Sequence, residues 1–289
     1  MTSIPAIAPG SIVVGADGSR HAARALRWAA AQARREHRPL VVVTAGGGDA
    51  DRVNRDALVA VRELEPTVDA SGVSVDLDPR PALVDLSRDA HLVVVGSHGR
   101  GFLRSVLLGS VGTALTRLSW CPVVVCRPRD EERGGRGVLV AVDATSSSSP
   151  VLEFAFQQAS LRGEPLTAVH CTWDVVAAVA GLRNVRLEDD DLGVGDEAHL
   201  ALAEALAGFA ETYPDVEVSQ RVHHGLVDDV VGRHTGDWDL VVVGRHPVDT
   251  LGRLVTGSIA TAVVERARTT VAVVPVERDP DDAAALGED

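Results

Sequence analysis

The chain has 289 residues, 45% of them apolar and 24% charged. That excludes a wholly disordered protein and suits two domains of about 150 residues, each able to bury a core without disulfides or a structural metal. Acidic residues number 41 against 28 basic ones, a net charge of 28 − 41 = −13, which argues against a non-specific grip on nucleic acid or an anionic membrane but leaves room for one small anion held locally.

Every basic residue is an arginine, because the chain contains no lysine. This removes the phosphate loop ending in Lys-Ser/Thr, the protein-kinase lysine and any lysine Schiff base. The opening MTSIPAIAPG lacks a basic stretch ahead of an apolar run, and no 18 charge-free apolar residues follow one another, so a cytoplasmic protein is expected. Cys121, Cys126 and Cys171 form no C-x-x-C pair and no zinc spacing; they are expected to be buried thiols in a reducing compartment, with no metal site.

In chain order, Ile12 to Gly15 reads as a strand, and Ser19 is placed to cap a helix that carries Leu26, Ala29, Ala30 and Ala33 on one face and runs to about His37. Leu40 to Thr44 is the next strand. Val53, Ala57, Val61 and Leu64 line one face of a helix within 49–65. A strand is expected over 73–77, a short helix over 81–89, a wholly apolar strand over 92–96, a helix over 110–118 and a last strand over 123–126. Apolar strands alternating with helices imply a parallel sheet covered on both faces.

The second half repeats this order. SIVVGADGS at 11–19 is echoed by GVLVAVDATS at 137–146, and LVVVGSHG at 92–99 by LVVVGRHP at 240–247; a Gly-Ser pair follows each time, Gly109-Ser110 and Gly257-Ser258, and then a closing Val run. Recurrence of four elements in one order is evidence of duplication. Domains are expected at 1–130 and 137–276, joined by the charged, Gly-rich stretch RPRDEERGGRG and followed by an acidic tail, 277–289. The apolar last strands, 123–126 and 271–274, are expected to cover each other's edge as a pseudo-twofold pair. The second copy has 101 residues from Asp143 to Gly244 against 79 from Asp17 to Gly96, and most of the extra 22 lie between Trp173 and a helix beginning near Asp196, with Leu202, Leu206, Phe209 and Tyr213 on one face.

Small anions bind an open parallel sheet beyond the carboxyl ends of its strands. There Gly96 ends a strand, Gly99 follows three residues on, and Gly109-Ser110 opens a helix after nine intervening residues. Glycines let the backbone approach a phosphate, Ser110 adds a hydroxyl, and the helix start adds unpaired amides. Asp17 is a carboxylate at a strand end that would serve a ligand or cap the following helix.

These residues fit the pattern G-x2-G-x9-G-(S/T), and with Asp17 and the closing SWCPVVVCR the chain resembles the universal stress proteins, in the tandem form of actinobacterial members. The resemblance implies two five-stranded, doubly wound sheets of strand order 3-2-1-4-5, adenine-nucleotide alpha hydrolase-like. It further implies ATP as ligand, with Mg2+ as a companion and AMP or cyclic AMP ranked lower. Asp17 would then contact the nucleoside, Gly96 and Gly99 the ribose and α-phosphate, and Gly109 and Ser110 the phosphates. Asp143, Gly244, Gly257 and Ser258 would form a weaker second site, because Pro247 replaces the second glycine and Asp249 brings negative charge. One departure is Gly112, where the family often has a second hydroxyl residue, with Thr113 beside it.

Arg100, Arg104 and His98 are neighbours of the first loop. No catalytic base is evident, so nucleotide binding with a regulatory role in stress adaptation is expected, with a slow ATPase or an interaction module with decayed pockets as alternatives. Expected partners are an adenine nucleotide and a regulatory protein, with no nucleic acid and no membrane, in an intramolecular pseudo-dimer able to form a homodimer.

Overall fold

A computed structural model of the chain describes residues 5–99, 108–128, 135–143, 148–172, 196–224, 227, 231, 235–245 and 259–276. The first half runs β1 (Ile12–Gly15), α1 (Arg20–Glu36), β2 (Leu40–Ala45), α2 (Ala50–Leu64), β3 (Ala70–Val75), α3 (Pro79–Leu86), β4 (Leu92–Gly96), α4 (Ser110–Leu118) and β5 (Val123–Cys126). The second runs β6 (Val138–Val142), α5 (Ser149–Arg162), β7 (Leu166–Thr172), α6 (Asp196–Thr212), β8 (Val218–His224), β9 (Leu240–Arg245), α7 (Ile259–Arg266) and β10 (Thr270–Pro275).

All ten strands form one sheet in the order β3-β2-β1-β4-β5-β10-β9-β6-β7-β8. The first half has the expected order 3-2-1-4-5 and the second has the same order reversed. Pairing within each half is parallel. At the junction β5 and β10 pair antiparallel, with Val125 opposite Val271 and Val123 opposite Val273. The expected edge contact is therefore a shared hydrogen-bonded ladder, and the two expected sheets are one mixed sheet. Two arginines tie the halves beside it. Arg127 donates to the carbonyl of Ala267 past the end of α7 at 2.9 Å, and Arg245 donates to the carbonyl of Ser119 past the end of α4 at 2.6 Å. Each guanidinium thus meets the negative end of a helix in the opposite half.

Side chains alternate across the sheet, so Ile12 and Val14 join one apolar core and Val13 the other. The first core contains residues of α1, α2, α5 and α6, and the second contains those of α3, α4 and α7. On α6, Leu202 and Leu206 are buried, and Phe209 and, just past the helix end, Tyr213 stack on Phe156 at 5.2 and 5.7 Å, on the face the helical spacing expects.

Helix α1 starts after Ser19, whose side chain accepts from the amide of Ala22, and ends in left-handed His37. Three starts differ from expectation. Strand β3 lies at 70–75 because the buried Asn54 amide donates to the carbonyls of Val42 and Val73 and to the Thr44 hydroxyl, fixing β3 beside β2. Gly72 is the residue that admits it, since a Cβ there would sit 2.0 Å from Asn54 Oδ1. Helix α3 begins at Pro79, capped by Asp78, an Asp-Pro start signal two residues ahead of the expected helix. Helix α5 begins at Ser149 with Ser148 as its cap residue, whereas the Ser149-Pro150 pair reads in the sequence as a cap followed by proline at the first helical position.

Candidate functional site

The sheet order reverses between β1 and β4, so the loops leaving their carboxyl ends diverge and leave a crevice. The structure gathers the five first-half candidates around it. Asp17 follows β1, and its Oδ1 accepts the amide of Ser19 at 2.9 Å. It thus braces the turn into α1 while Ser19 caps the helix. A Cβ placed on Gly99 would lie 2.8 Å from Asp17 Oδ2, and one on Gly109 would lie 3.4 Å from the Ser97 carbonyl and 4.0 Å from the Gly99 amide nitrogen. The Gly109 amide donates to the Ser97 carbonyl at 3.0 Å, pinning the two ends of the connecting loop together.

Helix α4 therefore starts at the crevice. Its cap residue, Gly109, supplies no side chain to the first-turn amides, and Ser110 is exposed at the first position. Such a start takes an anion readily. Thr113 donates its hydroxyl to the Gly109 carbonyl at 3.1 Å, so it is engaged within its own helix. A Cβ on Gly112 would lie 2.8 Å from Leu108 Cδ1, so a side chain there would have to displace the buried Leu108.

Gly96 has a different role from its partners. A Cβ on it would lie 2.6 Å from the His21 carbonyl carbon and 2.7 Å from its oxygen. The missing side chain lets the first turn of α1 lie against β4, which positions the crevice without lining it.

Sequence reasoning did not single out Ser97 or His21. The Ser97 hydroxyl is buried and lies 3.1 Å from Nδ1 of both His21 and His98, whose rings are 5.1 Å apart. A hydroxyl can donate to one ring and accept from the other. Burial, and next His98 and Arg24, lower the pKa of His21 against an opposing pull from Asp17. Burial and neighbouring positive groups thus favour the neutral form of the His21 imidazole beside Ser97 and Asp17. Seventy-six residues separate His21 from Ser97, and only the β1–β4 adjacency brings them together.

In the second half Asp143 follows β6 and accepts from the Ser148 hydroxyl, and Gly244 lies in β9 opposite Val274. Arg245, in the place of Ser97, is committed to Ser119 across the junction. Gly257 and Ser258 lie outside the described residues, as do Arg100, Arg104, Pro247, Asp249, the insertion and the tail. Burial raises the thiol pKa of Cys121, Cys126 and Cys171 to about 12. Cys171 is only half-buried, unlike the other two. Among the described residues no cluster of three metal-ligating side chains occurs, and no helix is long and apolar enough to cross a membrane.

Fold and crevice together define a tandem, doubly wound α/β protein with an anion-accepting helix start at its topological switch point. The universal stress protein family model matches residues 10–127 and 136–275, and the chain belongs to that family. A universal stress protein of Mycobacterium tuberculosis H37Rv, Rv2005c, is 35% identical, the match covering 91% of this chain and 96% of the relative. The crystal structure of a universal stress protein from Archaeoglobus fulgidus DSM 4304 shares the fold, with a TM-score of 0.62 at 17% identity over 92% of this chain and 98% of that one.

Shorter matches include a universal stress protein in complex with cAMP (30% identity, 41% of this chain and 97% of that one, TM-score 0.36) and one from A. fulgidus in complex with dAMP (25%, 41% and 98%, 0.34). These findings correct the ligand ranking. The expectation placed ATP, with Mg2+, ahead of AMP and cyclic AMP, whereas the nucleotides named in these family structures are monophosphates.

Proposed function

We propose that the first half binds an adenine nucleoside monophosphate, cyclic or open, and that occupancy serves a regulatory role in the cytoplasm. The observation carrying this reading is the convergence of Asp17, Gly99 and the start of α4 at the crevice between β1 and β4. Asp17 is suited to a ribose hydroxyl, which it would accept, and the amides at Ser110 to the phosphate. The adenine-nucleotide alpha hydrolase-like class that the family resemblance implies is part of this proposal. Binding without turnover is part of the proposal. The chain has no lysine, and fast phosphoryl chemistry demands stabilisation of the transition state beyond what a ground-state anion site supplies.

The test is mass spectrometry of nucleotide released from protein purified without added ligand, followed by calorimetric titration of the emptied protein with cAMP, AMP and ATP. Saturable binding of cAMP or AMP, weakened in Asp17→Ala, is the expected result. No binding of any monophosphate, or sustained protein-dependent release of phosphate from ATP at about 1 per second or faster, would overturn it.

A further inference from the structure

Buried polar side chains are found where α1 of the first half approaches α5 of the second. Gln32 and Gln158 are both fully buried and hold equivalent places, each eight residues before the first residue of the following strand, Leu40 or Leu166. Both glutamines use their two ends in the same way. Each donates Nε2–H to Glu36 Oε1, Gln32 at 2.7 Å and Gln158 at 3.4 Å. Each accepts at Oε1 from Nη2 of Arg162, Gln32 at 3.2 Å and Gln158 at 3.3 Å. The amides therefore run side by side from a carboxylate of one half to a guanidinium of the other.

Glu36 and Arg162 are themselves equivalent, each four residues before that strand. So are Arg38 and Glu164, two before it, and His91 and Asp239, one before β4 and β9. At each place the copies carry opposite or complementary chemistry. Glu36 faces Arg38 at 3.5 Å and His91 at 3.1 Å. Burial pushes the Glu36 carboxyl up, but the neighbouring His91, the hydrogen bond from Gln32 and the charge of Arg38 outweigh it and hold the group below its ordinary range. Arg162, also packed over the Trp28 ring of the first half at 5.3 Å, has its pKa lowered by burial and by Arg35, with Glu164 and Asp239 pulling the other way.

We infer that this charge-inverted bridge, Glu36 through Gln32 and Gln158 to Arg162, is a recognition key that pairs the first half with the second and rejects pairing of like halves. Two first-half faces would bring Glu36 against Glu36 around the glutamines, and two second-half faces would bring Arg162 against Arg162. In either case like charges are buried together and one end of the amides loses its partner, a costly arrangement in a low-dielectric site. The surface of α1 thus fits the α5 surface of the second half of this chain and does not fit itself.

The test is a cycle of charge reversals in the full chain, Glu36→Arg, Arg162→Glu and both together, read as the midpoint of thermal unfolding. Each single reversal also meets its own half's neighbours, Arg38 and His91 or Glu164 and Asp239. Those losses persist in the double variant and cancel in the cycle. The double variant restores opposite charges across the bridge, and the glutamine amides accommodate it by turning over. The expected result is a loss of about 5 °C or more for each single reversal and, in the double variant, a loss smaller than their sum by about 4 °C or more. Additive losses overturn the inference. Should a reversal leave no folded protein, the neutral cycle Glu36→Gln and Arg162→Gln is read in the same way, and additivity there overturns it equally.

Discussion

The glycines of the first loop share one motif but not one purpose, and alanine substitutions separate them. In Gly96→Ala the new methyl meets backbone, the His21 carbonyl carbon at 2.6 Å and its oxygen at 2.7 Å. Carbon atoms pack at about 3.5 Å, so α1 must move off β4 by most of an ångström. Overpacking of this kind costs about 1–3 kcal/mol, and a backbone obstacle that cannot rotate away puts the cost near about 3. At roughly 2–4 °C per kcal/mol the midpoint falls by about 6–12 °C. In Gly99→Ala the obstacle is the tip of an aspartate, Asp17 Oδ2 at 2.8 Å, which swings aside, so the midpoint moves by less than about 2 °C. The displaced carboxylate is the proposed ribose contact. Losing a charged hydrogen bond of about 1.5–3 kcal/mol weakens binding by roughly ten- to a hundredfold. Scanning fluorimetry and titration with cAMP on both variants decide the matter. Equal signatures, both losing stability or both losing only affinity, would refute the division of roles.

Asn54→Ala removes three hydrogen bonds in a buried site, to the Val42 and Val73 carbonyls and the Thr44 hydroxyl, and is expected to cost about 1–3 kcal/mol in denaturant unfolding. Arg245→Met leaves the Ser119 carbonyl without its cross-junction donor and is expected to lower the unfolding midpoint by about 2–4 °C, with little change in cAMP affinity. Acidification should destabilise the protein in two windows. The His21 pKa lies below its ordinary 6.5, so its contribution is full above 6.5 and is lost as pH falls through the folded value; Glu36, held below its ordinary 4.5, behaves likewise beneath that pH. Midpoints measured from pH 8 to about pH 3 check the sign in both windows, and His21→Gln should remove the upper window alone. Because a bound phosphate favours the imidazolium, monophosphate affinity should rise as pH falls through the upper window.

The apolar runs and the duplication made the strand order legible, because wholly apolar strands alternating with helices permit few arrangements. Spacing also located Asp17, Gly99, Gly109 and Ser110 at one crevice. It could not distinguish Gly99, where a carboxylate approaches, from Gly96, where a helix backbone does, since both appear as a glycine after a strand. Strand β3 escaped the alternation because its position is set by Asn54, a buried side chain on another element. The pairing of Ser97 with His21 carries no local signal, and neither residue stands out alone. The equivalence of Glu36 with Arg162 is present in the aligned halves, but its meaning depends on α1 and α5 meeting, which strand periodicity does not report.

Duplication makes correct pairing of the halves a physical problem. The joining edges are nearly interchangeable, Val123 to Val125 against Val271 to Val273, and an antiparallel ladder of such residues binds through backbone groups that both copies share. Edge pairing alone therefore carries no preference between first-with-second and first-with-first. A preference must come from positions off the ladder where the copies have diverged, and among the described residues these include Glu36 opposed to Arg162, with the part-buried Arg127 and Arg245 reaching opposite helix ends. Divergence at Arg245 has a second effect. The residue that replaces Ser97 spends its guanidinium on the junction, so the second half cannot reproduce the imidazole–hydroxyl arrangement of the first at that position. Replacing Arg245 by serine should consequently weaken the junction without creating a site equal to the first, and calorimetry with cAMP tests this directly. An added binding event of matching affinity in Arg245→Ser would show that the arginine alone had separated the two crevices.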